Sequence, residues 1–416
     1  MHNALEPIVV TGIGVLACNG IGREAFWDAL ANGRSGIRTI DRFDPEPFPC
    51  RIAGQLWDFD PEDFMRKGEA KRWHSHVHQA VASSQLAVDD AEFESARYTP
   101  ERIAVGFGTS VGTPDEHYME HRKAFEAGGW KAMSKTASNG TSGHSATANV
   151  SARFHLRGPA TTIASGCSTG LDVLNWGVRQ IQSDLADAAI VGATESPMTP
   201  LMFGASCALG ILSEQNENPA GAMRPFDKNG DGLVLSEGAV ALVLERASAA
   251  RARGAQIFGS VAGYGSAAEG NNALIIDKKG IALARAIESA LHGAGMQPED
   301  IDCSCCHGVA IEMYDRSEVN GYKRALGEHA YRVPMCATKS MTGQAYAVGG
   351  LFNVAAALMT LSKGIVPPTI NHSEPSDECD LDFVPGLART NDVHATIVTA
   401  LSFGGTHSAT ILQKSE

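Results

Sequence analysis

Three short stretches carry residues that could do chemistry. In "TTIASGCSTGLDVLNWGVRQ" a β-rich run ends at Ser165-Gly166, Cys167 follows, and a helical pattern starts just after the thiol. Unpaired N–H groups at a helix start favour thiolate over thiol and can bind an oxyanion. Gly166, Ser168 and Gly170 leave room for a substrate to reach the sulfur. The same features also fit a small buried hydrophobe, the usual state of a free cysteine. In "IDCSCCHGVAIEMYD" (301–315), Cys303, Cys305, Cys306 and His307 suggest a metal knuckle, but no second ligand pair stands at zinc spacing. A buried strand using cysteines as small apolar residues, with His307 presented at its end, fits better, and no metal is expected. In "TKSMTGQAYAVGG" (338–350), Lys339 and Gly343 precede Gln344, which reads as a helix entrance with its free N–H groups. A glutamine amide donates and accepts hydrogen bonds but carries no proton at ordinary pH.

Other motifs match weakly. "DKNGDGLVLSE" starts like a calcium loop with Asp227, Asn229, Asp231 and Gly232, but Gly238 holds the place of the required acid and Glu237 comes one residue early. A Gly/Asp turn is expected there. "VVTGIGVLA" satisfies a loose dinucleotide pattern without the acidic residue that should follow a second strand, so a tight glycine turn suffices. "FMRKGEAKRWHSH" groups Arg66, Lys67, Lys71 and Arg72, either a solvated helix face or a dock for an acidic partner.

These residues must be positioned by a regular scaffold. Short β-rich runs ("PIVVTGIG", "RIAVGFGTS", "TTIAS", "AAIVGATES", "GAVALVLER", "QIFGSVAGYG", "ATIVTALSFGG") alternate with helical patterns, such as Leu171, Leu174, Val178 and Ile181 at helical spacing. Such alternation indicates an α/β fold with sheets covered by helices. The 416 residues exceed one typical domain, and strand–helix alternation restarts after "ARARGAQ" (250–256), so the chain is divided into halves 1–252 and 253–416. A net charge of −13 argues against a broad nucleic-acid surface. The N-terminal apolar run lacks a basic flank and is cut by glycines, so it reads as a buried strand and turn rather than a signal peptide. No apolar run is long enough to span a membrane. Nine cysteines without a framework fit reduced thiols and a cytoplasmic location.

Read together, "VVTGIG", "RGPATTIASGCSTG", "RPFDKNGDGLVLSEGA", "HGVAIEMYDRSE", "TKSMTG", "VPPTIN", "CDLDFVP" and "SFGGTH" resemble the β-ketoacyl-acyl-carrier-protein synthases of the synthase II type, from about Ile8 to Ile411. The resemblance implies a thiolase-type fold, two pseudo-duplicated halves in an αβαβα sandwich, assembled as a homodimer or as a heterodimer with a ketosynthase-like subunit. It implies catalytic roles for Cys167 as acyl-accepting nucleophile, His307 and Lys339. It makes Phe403 a gate whose N–H forms an oxyanion hole with that of Cys167. Val309, Ile311, Gly404 and Gly405 fall in the pantetheine and extender pocket, and Arg66, Lys67, Lys71 and Arg72 near the carrier-protein docking region. No cofactor is implied beyond the phosphopantetheine of an acyl carrier protein.

The sequence departs from the family's pattern at several places. Gln344 stands where a second catalytic histidine is usual. Val309 and Ile311 replace two threonines that bind the pantetheine arm. Asn353 stands where an acid pairs with the lysine, Ser402 replaces a hinge glycine, and His407 replaces an asparagine. The implied function is decarboxylative Claisen condensation of an acyl-Cys167 intermediate with a malonyl-type carrier thioester, in fatty-acid or type II polyketide biosynthesis. Two alternatives are an acyltransferase using only the cysteine half-reaction and a partner subunit of a ketosynthase heterodimer, against which Cys167 itself argues.

Overall fold

A computed structural model describes residues 6–415 except 95–96, 114, 117, 136, 141 and 273–274. Ten strands organise it: β1 (Ile8–Ala17), β2 (Ile103–Gly108), β3 (Ala160–Ile163), β4 (Ala188–Glu195), β5 (Gly238–Arg246), β6 (Gly259–Ala268), β7 (Cys303–Cys305), β8 (Met335–Cys336), β9 (Ala395–Leu401) and β10 (Thr406–Gln413). They lie in one mixed sheet in the order β8-β7-β9-β10-β6-β1-β5-β4-β2-β3. The N-terminal half-sheet β3-β2-β4-β5-β1 and the C-terminal half-sheet β8-β7-β9-β10-β6 repeat one pattern. In each, the first three strands are parallel and the last two contacts are antiparallel. The halves meet where Val9 and Val10 pair with Ser260 and Gly259.

Five helices complete the layers: α1 (Ser75–Asp90), α2 (Thr169–Gln182), α3 (Ile281–Ala294), α4 (Glu312–Leu326) and α5 (Gly349–Lys363). Helix α1 covers β1, β4 and β5, whereas α3 covers β6 and β10 and carries α4 on its flank. Helices α2 and α5 touch each other and strands of both halves, and so form the middle layer of an αβαβα sandwich. Leu171, Leu174, Val178 and Ile181 are all buried, as their spacing requires. Helix α5 is buried without a break from Gly349 to Leu361, as expected of a helix apolar on all sides. Among the described residues no helix is long and apolar enough to cross a membrane.

Two glycine readings change. Gly12 and Gly14 form no turn but lie inside β1. A Cβ there would stand 2.2 Å from the Ala87 carbonyl oxygen and 1.9 Å from that of Ser83, so these glycines let α1 press onto the strand. Gly170 does the same for the middle layer. Its Cβ would meet the Ala347 carbonyl oxygen at 2.7 Å, and its absence brings the start of α2 against the start of α5. That contact sets Cys167 beside Gln344.

Candidate active site

The candidate groups leave neighbouring strand ends, where open α/β sheets present their ligands. Cys167 sits in the turn Gly166–Ser168 between β3 and α2, His307 follows β7, Lys339 follows β8 and Phe403 follows β9. Cys167 is 3% exposed. Its sulfur receives the Nε2–H of Gln344 at 3.3 Å and faces the backbone N–H of Phe403. The helix-start argument for a thiolate is not sufficient: burial pushes the thiol up to about 11, opposed by the charge of Lys339 and the two N–H groups. The resting cysteine is therefore a thiol at neutral pH.

His307 and Lys339 form one buried unit. The Lys339 ammonium donates to the His307 carbonyl and lies 3.3 Å from His307 Nδ1. A donor on Nδ1 leaves the imidazole proton on Nε2, so neutral His307 presents an N–H on its other edge. Burial and the Lys339 charge both hold its pKa well below the ordinary histidine value. Burial also brings Lys339 down to about 8. Asn353, at the position where an acid was expected to pair with the lysine, is occupied elsewhere. It accepts from Thr338 Oγ1 at 2.6 Å and donates to the Cys306 carbonyl at 2.7 Å. The acids whose charges support the Lys339 ammonium are Glu318 and Asp315, both on α4. Glu318 also accepts the backbone N–H groups of His307 at 2.7 Å and Gly308 at 2.8 Å. One turn earlier, Asp315 accepts those of Val309 at 2.9 Å and Phe226 at 2.7 Å.

Gln344 is not at a helix N-terminus. It lies between the short helix Lys339–Thr342 and α5, and its backbone pairs like a strand. Its N–H donates to Val234 at 2.8 Å, and its carbonyl accepts from Ser236 at 3.0 Å. The side-chain amide therefore cannot borrow the helix-start environment, and it is held by this bridge. Nε2 reaches Cys167, while Oε1 is buried without a partner. An orphaned acceptor of that kind costs about 1–3 kcal/mol.

The loop after β9 is pinned to the turn that carries Cys167. Ser402 Oγ accepts the Ser168 N–H at 2.7 Å and donates to the Ser165 carbonyl at 2.8 Å. Phe403 packs on Tyr314 with ring centres 5.2 Å apart, and Gly404 and Gly405 continue the loop at φ 89° and 71°. Val309 is buried, and Ile311 is half-buried directly before α4. Arg66, Lys67, Lys71 and Arg72 are all exposed around the short helix Lys67–Ala70. They lie along the chain from the catalytic candidates and contribute no side chain to the Cys167 contacts above.

Residues 5–250 match the β-ketoacyl synthase N-terminal domain and residues 258–373 its C-terminal domain. The chain belongs to the β-ketoacyl synthase family. It is 36% identical over 99% of its length to the tetracenomycin polyketide synthase ketoacyl synthase alpha subunit of Streptomyces glaucescens, covering 98% of that protein. Its structure is similar to the ishigamide ketosynthase/chain length factor, with a TM-score of 0.92 and 28% identity over 99% of this chain and 100% of the other. It is also similar to a type II PKS acyl-carrier protein in complex with its ketosynthase bound to the hexaketide, with a TM-score of 0.91, 28% identity and the same coverage.

Within this β-ketoacyl synthase the cysteine run is a strand: Cys303–Cys305 is β7, and Cys305 lies 3.3 Å, sulfur to sulfur, from Cys336 on β8. No cluster of three metal-binding side chains occurs among the described residues. Asp227 of the calcium-like motif is used as a turn brace, accepting the N–H groups of Asn229, Ser373 and Glu374. Sequence reasoning missed three buried acids. Glu318 and Asp315 were readable as acids three residues apart on one helix, but Glu195 was not. It closes the Ser110–Gly112 loop by accepting three backbone N–H groups from 83 to 85 residues away.

Proposed function

We propose that this chain is a decarboxylative Claisen condensing enzyme in which Cys167 holds the growing acyl group and His307 with Gln344 holds the extender carbonyl. In the first half-reaction the Cys167 sulfur attacks a carrier-bound thioester. The carbonyl oxygen is held by the N–H groups of Phe403 and Cys167, and the carrier thiol leaves with the proton the cysteine gave up. Lys339 lowers the cost of the thiolate through its charge. In the second, the malonyl-type thioester oxygen lies between the His307 Nε2–H and the Gln344 amide N–H. Carbon dioxide departs, and the enolate carbon attacks the acyl-cysteine.

The observation that carries this reading is the 3.3 Å contact from Gln344 Nε2 to the Cys167 sulfur. It leaves an amide donor facing the reacting centre even though no second histidine is present. A neutral amide donor stabilises a developing enolate by hydrogen bonding alone. The phosphopantetheine substrate comes from an acyl carrier protein docking at Arg66, Lys67, Lys71 and Arg72. The exposed Met119, Phe125 and Trp130 suit coverage by a second ketosynthase-like subunit. Incubation with acyl-carrier and malonyl-carrier proteins should give a β-ketoacyl carrier, read by intact mass. A stable acyl-Cys167 with no condensed product would replace this reading with acyl transfer to another nucleophile. That second reading draws support from the apolar Val309 and Ile311 in the extender pocket.

A further inference from the structure

A second polar pair lies behind the gate, and the reaction above does not use it. His407 stands on β10 four residues after Phe403 and is 1% exposed. Its Nε2 is 2.8 Å from Oε1 of Glu269, whose side chain is 3% exposed. Its Nδ1 is buried with no hydrogen-bond partner. Glu269 is fixed from two other sides. Its Oε2 accepts the Asp277 N–H at 2.9 Å, and its own N–H donates to the Gly405 carbonyl at 2.8 Å. A Cβ on Gly405 would lie 3.0 Å from the Glu269 side chain, so the acid fills the space directly under the gate loop.

Alternation along β10 gives the direction. Ser408 donates to Asp172 of α2 at 2.6 Å, so His407 points to the opposite face. On that face Ala409 and Ile411 share a packed cluster with Tyr314 and Phe403. His407 is near enough to His307 for a charge on one to oppose a charge on the other. Glu269 and Asp277 favour a proton on His407, and burial opposes them strongly enough to hold it below the ordinary histidine value. Tyr314, which faces Glu269 and Cys167 from α4, is pushed up and stays neutral.

Condensation consumes one proton per turn, because malonate carbon leaves as carbon dioxide and the cysteine leaves the acyl group as thiolate. Building on the condensing role above, we propose that His407, oriented by Glu269, is the proton carrier of the extender half-site, a task the Gln344 amide cannot perform. The incoming malonyl carboxylate brings a negative charge and an acceptor for the free Nδ1. His407 takes up one proton from the bulk solution, donating from Nδ1 to the carboxylate and from Nε2 to Glu269. When the carboxyl carbon–carbon bond breaks, its electron pair becomes the enolate. The enolate carbon bonds to the acyl carbon, the carbon–sulfur bond to Cys167 breaks, and the proton on His407 passes to the thiolate.

The test uses full-length enzyme already acylated on Cys167, with malonyl-carrier protein added across the neutral pH range. Each extender rate is divided by the loading rate of the same enzyme at one fixed pH. The profile is read below the Lys339 titration at about 8, so the ratio carries only the pH dependence of extension. In the wild type this ratio falls as pH rises and His407 loses its proton. His407→Asn, which cannot titrate, should load Cys167 normally, lose about 100-fold in the ratio and show no fall with pH. Glu269→Gln should keep the fall but move it to lower pH, since removing the carboxylate weakens His407 as a base. His407→Gln serves in place of a His407→Asn protein that does not fold, with Cys167 loading as the check. An unchanged ratio and profile in these variants, or equal losses of loading and extension, would overturn the role of His407. A wild type that loads Cys167 but releases no carbon dioxide would instead remove the condensing reading, and the proton role with it.

Discussion

Cys167 leaves the end of β3 and Lys339 the end of β8, the equivalent strands of two half-sheets with one topology. Behind each, the loop after the neighbouring strand is braced in the same manner. Glu195 gathers the N–H groups of Ser110, Val111 and Gly112 after β2. Glu318 gathers those of His307 and Gly308 after β7. The backbone frames thus agree, and the difference lies in the side chains they present. On the nucleophile side a thiol faces backbone and amide N–H groups. On the extender side stand a neutral imidazole, an amide, Val309, and a histidine–glutamate pair behind the gate. A buried frame fixed by acid-to-backbone bonds tolerates new side chains, because its geometry does not depend on them. The chemistry of the second half-reaction can therefore shift while the first is kept.

That contrast can be broken first on the nucleophile side. Cys167→Ala should abolish the acyl adduct altogether, seen as loss of the mass increase with any acyl carrier. Lys339→Met should act on both sides. Without the ammonium the thiol, already pushed up to about 11, moves higher. Iodoacetamide alkylation read below about pH 8, where wild-type Lys339 is still charged, should then slow, and loading should fall about 10- to 100-fold. An unchanged alkylation rate below about pH 8 would show that the lysine charge does not reach the sulfur.

The next effect separates the sides. Gln344→Ala removes one neutral donor, worth about 1–2 kcal/mol, so condensation should fall about 5- to 30-fold. Loading should fall by a smaller factor, since the same amide also donates to the Cys167 sulfur. Equal losses would make Gln344 a packing residue rather than an extender donor. The smallest effect is expected at the gate. Ser402→Gly frees the loop from Ser165 and Ser168. Loading and condensation should each change a few-fold, about 1 kcal/mol for the lost bonds, with faster alkylation of Cys167 as the sign of a looser gate.

Much of this was legible in the sequence where local pattern decides it. The strand-to-helix turn at Cys167, the buried stripe of α2 and the strand ending at His307 all follow from period and neighbours within a few residues. The misreadings occur where distant segments pair. Gln344 reads as a helix entrance, but Val234 and Ser236, over a hundred residues earlier, draw its backbone into a bridge. Asn353 stands at the position of the lysine's acid, while the acids whose charge supports Lys339, Glu318 and Asp315, come from α4. The helix start favours a thiolate at Cys167, yet burial outweighs it and pushes the thiol up. His407 was visible as a departure, but its partner Glu269 lies 138 residues away, so the pair could not be read from either position.

The most direct measurement is a single turnover. Enzyme acylated on Cys167 is mixed with malonyl-carrier protein labelled at the free carboxyl. Carbon dioxide release, loss of the acyl adduct and β-ketoacyl product are followed together. The three should proceed at one rate, slowed in Gln344→Ala by a larger factor than its Cys167 loading. An acyl-Cys167 that persists without carbon dioxide release would contradict the condensing role assigned to His307 and Gln344.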